Sequence, residues 1–306
     1  MVRLPPEAAD AREARRLHRR VRRGLPAEQR WEIWRVQLLQ SGYAGPHREI
    51  LRSDIIHELL VLESLSHDEI AVGVQDAFDA TPNFDNEHRR SLCRVLNAYA
   101  FLSPDIGYRK GMSAAAGLIH FVNGGREEET LRAFVCLMEV HGLRNFFLDD
   151  SPMLQQYVLL CEQLIGNNLP DLAQHFASEN ILLSSHLCHW FLTFFTTCLP
   201  LPTVLVIWDG IVCTGLHTIV FAVIALLESV QQVLLTMQHE EIQAFFRSMK
   251  DSDDSAAADM GHLILRKCQK LDVPPEIAKQ LRVPESPKRG KSGRGPPEVP
   301  SIEAVA

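Results

Sequence analysis

From Asp85 onward the apolar residues recur at helical spacing. Leu92, Val95, Leu96, Tyr99 and Ala100 stand at i, i+3, i+4, i+7 and i+8, one stripe of a 3.6-residue period. The same period returns in Trp31, Trp34, Leu38 and Leu39, in Ile55, Leu59 and Leu62 with Ile56 and Leu60 beside them, and in Leu131, Phe134, Val135 and Met138. No segment alternates convincingly with period two. Asn123-Gly124 runs into the charged stretch Arg126–Glu129 rather than a second strand, so it is no hairpin. The fold class read from this pattern is all-α.

The breakers divide the chain into expected elements. A basic helix over 1–23 is stopped by Gly24-Leu25-Pro26, and Pro26 with Glu28 opens the next helix, which ends at Gly42. Further helices are expected over Ile50–Leu65, Ile70–Phe78, Glu127–His141, Ser151–Ile165, Asp171–Glu179, Leu182–Cys198, Pro202–Cys213 and Glu240–Met249. Asp85 reads as the N-cap of the helix that carries the first stripe. Arg89 and Arg90 in that helix read as a solvated face. The resulting division is a basic N-terminal helix over 1–23, one domain over 24–250, trailing helices over 251–284 and a disordered tail over 285–306. That tail is biased to Pro, Gly, Lys and Arg. No repeat aligns, which argues against a solenoid.

Charge and cysteine usage exclude several classes. The net charge of −7 argues against a nucleic-acid binder, although residues 1–23 hold eight arginines against Glu7, Asp10 and Glu13. Those acids and the lack of serine there argue against a mitochondrial presequence. Seven scattered cysteines without a CxxC pair fit a reducing compartment and no zinc cluster. His186, Cys188 and His189 share one helix without further ligands nearby, so packing explains them and no metal is expected. The uncharged run Gly210–Leu227 is long enough to test as a membrane span. Its glycines, histidine and threonines fit a helix buried on all sides in a large domain better.

The stretch Asn97–Phe121 joins two helices through Ser103–Met112, a loop with Pro104 at one end and Gly107 and Gly111 towards the other. Proline stiffens it and glycine admits positive φ, so the loop presents Tyr108, Arg109 and Lys110 as a surface for a partner.

Three blocks of residues resemble the TBC domain of Rab GTPase-activating proteins. Gly24-Leu25-Pro26 with Arg30 and Trp34 is similar to that family's opening motif. Leu92, Val95, Leu96, Ala98, Tyr99, Ala100, Pro104, Asp105, Gly107, Tyr108, Gly111 and Met112 match its central block. Trp190-Phe191, Phe195, Leu199-Pro200, Trp208-Asp209 and Gly215 match its third. The resemblance implies an all-helical domain without a cofactor that binds a GTP-loaded Rab-type small GTPase in vesicle traffic. It implies a cytoplasmic protein, with peripheral association on endomembranes left open. Such a protein hastens its partner's GTP hydrolysis rather than carrying out a reaction of its own.

In that family an arginine from I-x-x-D-x-x-R neutralises charge on the γ-phosphate, and a glutamine from Y-x-Q orients the attacking water. Neither is present in this chain. In one register Asp76 matches the aspartate, Gly73 the isoleucine, Pro82 a following proline and Asp79 the arginine. In the other, Ile70 is the isoleucine and Asp76 takes the finger position. No arginine lies between Arg52 and Arg89. Lys110 replaces the glutamine, fixed by Gly107-Tyr108 and Gly111-Met112. The partner-facing set is therefore Asp76, Asp79, Tyr108, Arg109 and Lys110. Three readings follow: a GTPase-binding protein with weak or absent catalysis, an active one using Lys110, Arg109 or the GTPase's own glutamine, or a helical scaffold without a GTPase partner. An Asp79–Lys110 ion pair closing the site is a further expectation.

Overall fold

The computed structural model describes residues 21, 24–40, 53–78, 84–251 and 254–281. The basic helix expected over 1–23, except Val21, the tail over 285–306, and Asp79 with Pro82 lie outside the described residues. Among the described residues there are fourteen α-helices, two short 3-10 turns and no strand. The fold is all-α.

In the first half, α1 (Ala27–Gln40) buries Trp31, Trp34 and Leu38, the stripe read from the sequence. α2 (Ser53–Leu59) is shorter than the helix expected to reach Leu65. Beyond it Asn97 Oδ1 accepts from both the backbone N–H and the hydroxyl of Ser64, each at 2.9 Å. That side-chain alternative to helical bonding turns the chain and leaves Leu65 fully exposed. α3 (His67–Phe78) follows, with Asp68 and Glu69 in its first turn, where acids favour the positive end of the helix dipole. It buries Ile70, Val74 and Phe78. α4 (Asn86–Leu102) starts where expected, since Asp85 accepts from the His88 N–H at 2.9 Å. α5 (Met112–Val122) is buried over nearly its whole length, and α6 (Glu127–Glu139) presents its stripe to α4 and α5.

The second half begins with α7 (Pro152–Asn168), which runs on through Gly166, and α8 (Pro170–Ser178). α9 (Leu183–Leu192) ends six residues before the expected Cys198. Phe194 and Phe195 adopt φ of 49° and 65°, a region unfavourable for bulky L-residues. Both rings are fully buried by that turn, and apolar burial of about 2–3 kcal/mol per ring outweighs the backbone strain. α10 (Leu201–Thr214) and α11 (Thr218–Leu234) share the apolar run, which Gly215 divides. No described helix is long and apolar enough to cross a membrane. α12 (His239–Ser248), α13 (Asp254–Cys268) and α14 (Pro275–Gln280) complete the order. α13 lies along α10 and α11. Ile264 and Leu265 are buried and the Thr203 hydroxyl donates to the Ala257 carbonyl at 2.6 Å.

α1 straps the two halves together. On one side the Trp31 indole donates to Glu129 of α6 at 2.7 Å. On the other, Arg30 and Trp34 reach Asp209 in the middle of α10.

Candidate functional site

The loop between α4 and α5 is fastened at both ends. Near its start, Glu139 of α6 accepts from the Tyr99 hydroxyl at 2.9 Å and from Arg144 at 3.2 Å. The same Arg144 guanidinium pairs with Asp105 inside the loop. At its end Gly111 has φ of 104°. A Cβ there would fall inside contact distance of the Leu192 carbonyl oxygen at the end of α9. Gly111→Ala therefore combines left-handed strain with a backbone clash, and is expected to lower stability by about 2 kcal/mol or more. Urea unfolding checks it; an unchanged midpoint would show that the loop does not need this packing.

Between the anchors the side chains divide. Tyr108 is 6% exposed, which corrects the expectation that its ring meets a partner. Its hydroxyl donates to Ser113 at 3.3 Å, and Ser113 donates to the Gly73 carbonyl at 2.9 Å. Tyr108 is thus a strut between α3 and α5. In the register that sets Gly73 on the isoleucine it also accounts for the glycine, because a Cβ at 73 would overlap the Tyr108 hydroxyl. Gly73→Ala is expected to destabilise by about 2 kcal/mol. Tyr108→Phe, which removes that oxygen, is expected to recover part of the loss in a double-mutant cycle. Strict additivity in denaturant unfolding would contradict the overlap.

Arg109 and Lys110 are exposed at the tip. Arg109 pairs with Asp149 at 3.0 Å, with 46% and 90% of the two side chains exposed. Such a pair contributes no more than about 1 kcal/mol and leaves Arg109 available. Lys110 forms no ion pair with a described residue, and its charge bears on α9. There burial first, and then Lys110, hold His189 below the usual imidazole range. His189 Nε2 meets the Thr197 hydroxyl at 2.9 Å.

Asp76 is exposed on α3. Asp76 and Glu69 stand three and four residues from Gly73, which packs on Tyr108, so these acids lie on the α3 face turned to the loop. Asp79 lies outside the described residues, as does the ion pair expected between it and Lys110. The segment that carries Asp79 is bracketed by Phe78 and Phe84, stacked with centroids 4.3 Å apart. Arg89, expected on a solvated face, donates to the Phe78 carbonyl at 2.9 Å and so caps α3. Arg90 is exposed and pairs with Glu87 at 2.8 Å.

Arg30, Trp34, Trp208 and Asp209 belong to motifs far apart in sequence, and the fold brings them together. Arg30 donates to both Asp209 oxygens, at 2.9 and 3.2 Å, and Trp34 donates to one of them at 2.8 Å. The Trp34 and Trp208 rings lie 5.8 Å apart. Asp209 is fully buried. Burial pushes its carboxyl up to about 6, against the pull of Arg30 and Trp34. This is an internal tie between helices, as is the role of Trp190, whose ring packs against Phe246 at 5.1 Å. His186 packs on the same two rings. Among the described residues no three His, Cys, Asp or Glu side chains converge on one point. Burial raises the thiols of Cys136 and Cys213, to about 11 and 12, so these are inert core groups.

Sequence reasoning missed Glu139, Arg144 and Ser113, which hold the loop, and Asp149, which pairs with its tip.

The profile of the Rab-GTPase-TBC domain matches residues 27–235. GTPase-activating protein GYP5 of Eremothecium gossypii is 29% identical over 236 residues, 77% of this chain and 27% of that protein. TBC1 domain family member 1 of Homo sapiens is 27% identical over 292 residues, 93% of this chain and 24% of that protein. The chain thus spans about a quarter of the length of these relatives. The crystal structure of the Chlamydomonas flagellar RabGAP TBC domain gives a TM-score of 0.69 at 22% identity, covering 88% of this chain and 86% of that one. The Ypt/Rab-GAP domain of Gyp1p gives 0.65 at 18% identity, covering 84% and 92%. At these identities the two structures speak for the fold alone. The matched profile covers well over half of the sequence, and the chain belongs to the Rab-GTPase-TBC domain family.

Proposed function

We propose that the chain binds a GTP-loaded Rab-type small GTPase and regulates it in vesicle traffic, with GTPase-activating catalysis weak or absent. It would act in the cytoplasm and peripherally on endomembranes. The binding face is the loop tip, Arg109 and Lys110, together with the Asp76 side of α3 and the segment carrying Asp79.

The observation that carries this reading is an exposed Lys110 on an anchored loop, at the position where the family has its glutamine. An amide both donates and accepts, so it can hold a water against the γ-phosphate. An ammonium has three donors and no acceptor and cannot orient that water as an attacking nucleophile. Asp79 or Asp76 at the other finger position has the wrong sign. Like charges about 4 Å apart at an effective dielectric near 20 repel by about 4 kcal/mol, on the order of a thousandfold in rate.

Single-turnover GTP hydrolysis by a panel of GTP-loaded Rab proteins, with the full chain in excess, tests this. The expected result is a retained complex with hydrolysis near the intrinsic rate. Acceleration near finger-assisted levels that disappears with Lys110→Ala and Arg109→Ala together would establish an active protein instead. Failure to retain any GTP-loaded Rab would point to a helical scaffold.

A further inference from the structure

His88 and His120 face each other at the turn between α5 and α6. Their ring centroids are 5.9 Å apart and the planes meet at 77°. Gly125, with φ of 81°, marks the point on which both rings converge. A Cβ placed on it would lie 3.3 Å from His88 Nε2 and 3.8 Å from His120 Nε2.

The hydrogen bonds fix both tautomers. The Thr130 hydroxyl donates to the Arg126 carbonyl at 2.8 Å and accepts from Asn123 Nδ2 at 2.7 Å. With its one proton engaged, Thr130 must accept at its 3.0 Å contact with His120 Nδ1. His120 therefore carries its proton on Nδ1 and exposes the Nε2 lone pair. That Nε2 is buried and has no hydrogen-bond partner. Burial, and secondarily His88, lower the His120 pKa to about 4, so the ring is neutral at physiological pH. His88 Nδ1 faces Asp85 Oδ1 at 2.8 Å. The His88 N–H and ring hold that carboxyl below the usual range, and a carboxylate only accepts. His88 too therefore carries a proton on Nδ1, with its Nε2 towards Gly125.

We propose that His88 and His120 form a two-histidine site for a borderline divalent metal ion such as Zn²⁺, bound through both Nε2 atoms, with water in the remaining positions. Imidazole is a favoured ligand for such ions, and ligating histidines donate their other N–H to a carboxylate or another acceptor. Asp85 and Thr130 already stand in those places. Two imidazoles on a tetrahedral ion with bonds of about 2.0–2.1 Å place their centroids roughly 5–6 Å apart, the separation found here. His88 is 32% exposed, which gives an ion access from solvent. Phe84 packs on both rings, at 5.7 and 6.3 Å.

Zn²⁺ titration of the full chain by calorimetry at pH 7.5 tests this. His88→Gln is expected to weaken binding at least tenfold. Because His88 lies at the surface, that variant is expected to fold; an unchanged melting temperature without metal checks this. His120→Asn is the second variant, expected to lose the Zn²⁺-dependent rise in melting temperature. Equal affinity in His88→Gln, an unchanged Zn²⁺-dependent rise in melting temperature in His120→Asn, or no binding to the unaltered chain would each overturn the proposal.

Discussion

Arg30→Met is expected to lower stability by about 3–5 kcal/mol, and to do so more at pH 8 than at pH 5. Asp209 is fully buried and takes both of its cationic hydrogen bonds from Arg30. Without the guanidinium, only the Trp34 indole is left to satisfy a naked carboxylate in the core. The side chain then takes up a proton instead. In the intact protein burial already raises Asp209 from 3.8 to about 6; removing Arg30, which opposes that rise, lifts it further. A carboxyl with a raised folded pKa binds a proton that the unfolded chain has released. Its contribution therefore falls as pH climbs from the unfolded value through the folded one. The deficit of Arg30→Met should be smallest near pH 5 and widen towards pH 8. For a domain of this size the shift in melting temperature is roughly 10 °C. Thermal unfolding of both proteins across pH 5–8 measures it. A deficit that stays constant with pH would mean that Asp209 remains charged without its partner. Adding Asp209→Asn to Arg30→Met should return part of the stability, because an amide is far less costly to bury than a lone carboxylate.

Reinstating both fingers is expected to produce the largest change in activity. Asp79→Arg together with Lys110→Gln should raise single-turnover GTP hydrolysis by a bound Rab on the order of 10³-fold over the unaltered chain. An arginine finger supplied in trans is worth about 10³–10⁵, and the arginine also removes a carboxylate of the wrong sign. Lys110→Gln alone should have a small effect, because it orients water without neutralising charge. The scaffold should tolerate it: Lys110 is exposed, and the loop is held by Asp105, Tyr108 and Gly111 rather than by its tip. Its stability is therefore expected to change by no more than about 0.5 kcal/mol. A double variant that binds GTP-loaded Rab without gaining rate would refute the assignment of these two positions.

Much of the fold was legible because its signals are local. The Leu92–Ala100 stripe, the Asp85 cap and the paired glycines of the loop depend on neighbours within one or two turns. What the sequence obscured was decided at a distance. The helix beginning near Ser53 stops at Leu59 because Asn97, in another helix, offers Ser64 a better acceptor. The helix from Leu183 stops at Leu192 because two phenylalanines bury themselves in a left-handed turn. Helical periodicity carries no trace of either. In the site the same division holds. The motif located the loop, and Lys110 and Arg109 stand exposed at its tip. Tyr108 looked equally available, but its ring lies under Gly73 and fills the space that a side chain there would need. Arg89 looked solvated and instead caps α3.

The strap made by α1 has a consequence for how the chain is completed during synthesis. Trp31 bonds to a residue 98 positions later, and Arg30 to one 179 positions later. At about 5–20 residues per second, Arg30 is made roughly 9–36 s before Asp209 exists. Until Glu129 is made, 98 residues after Trp31, neither side of α1 has its partner; from then until Asp209 emerges, one half of the burial site is in place and the other is missing. The nascent first half therefore exposes aromatic surface for longer the more slowly α10 is translated. Synonymous codons that slow elongation between α6 and α10 would be expected to lower soluble yield without altering a single residue.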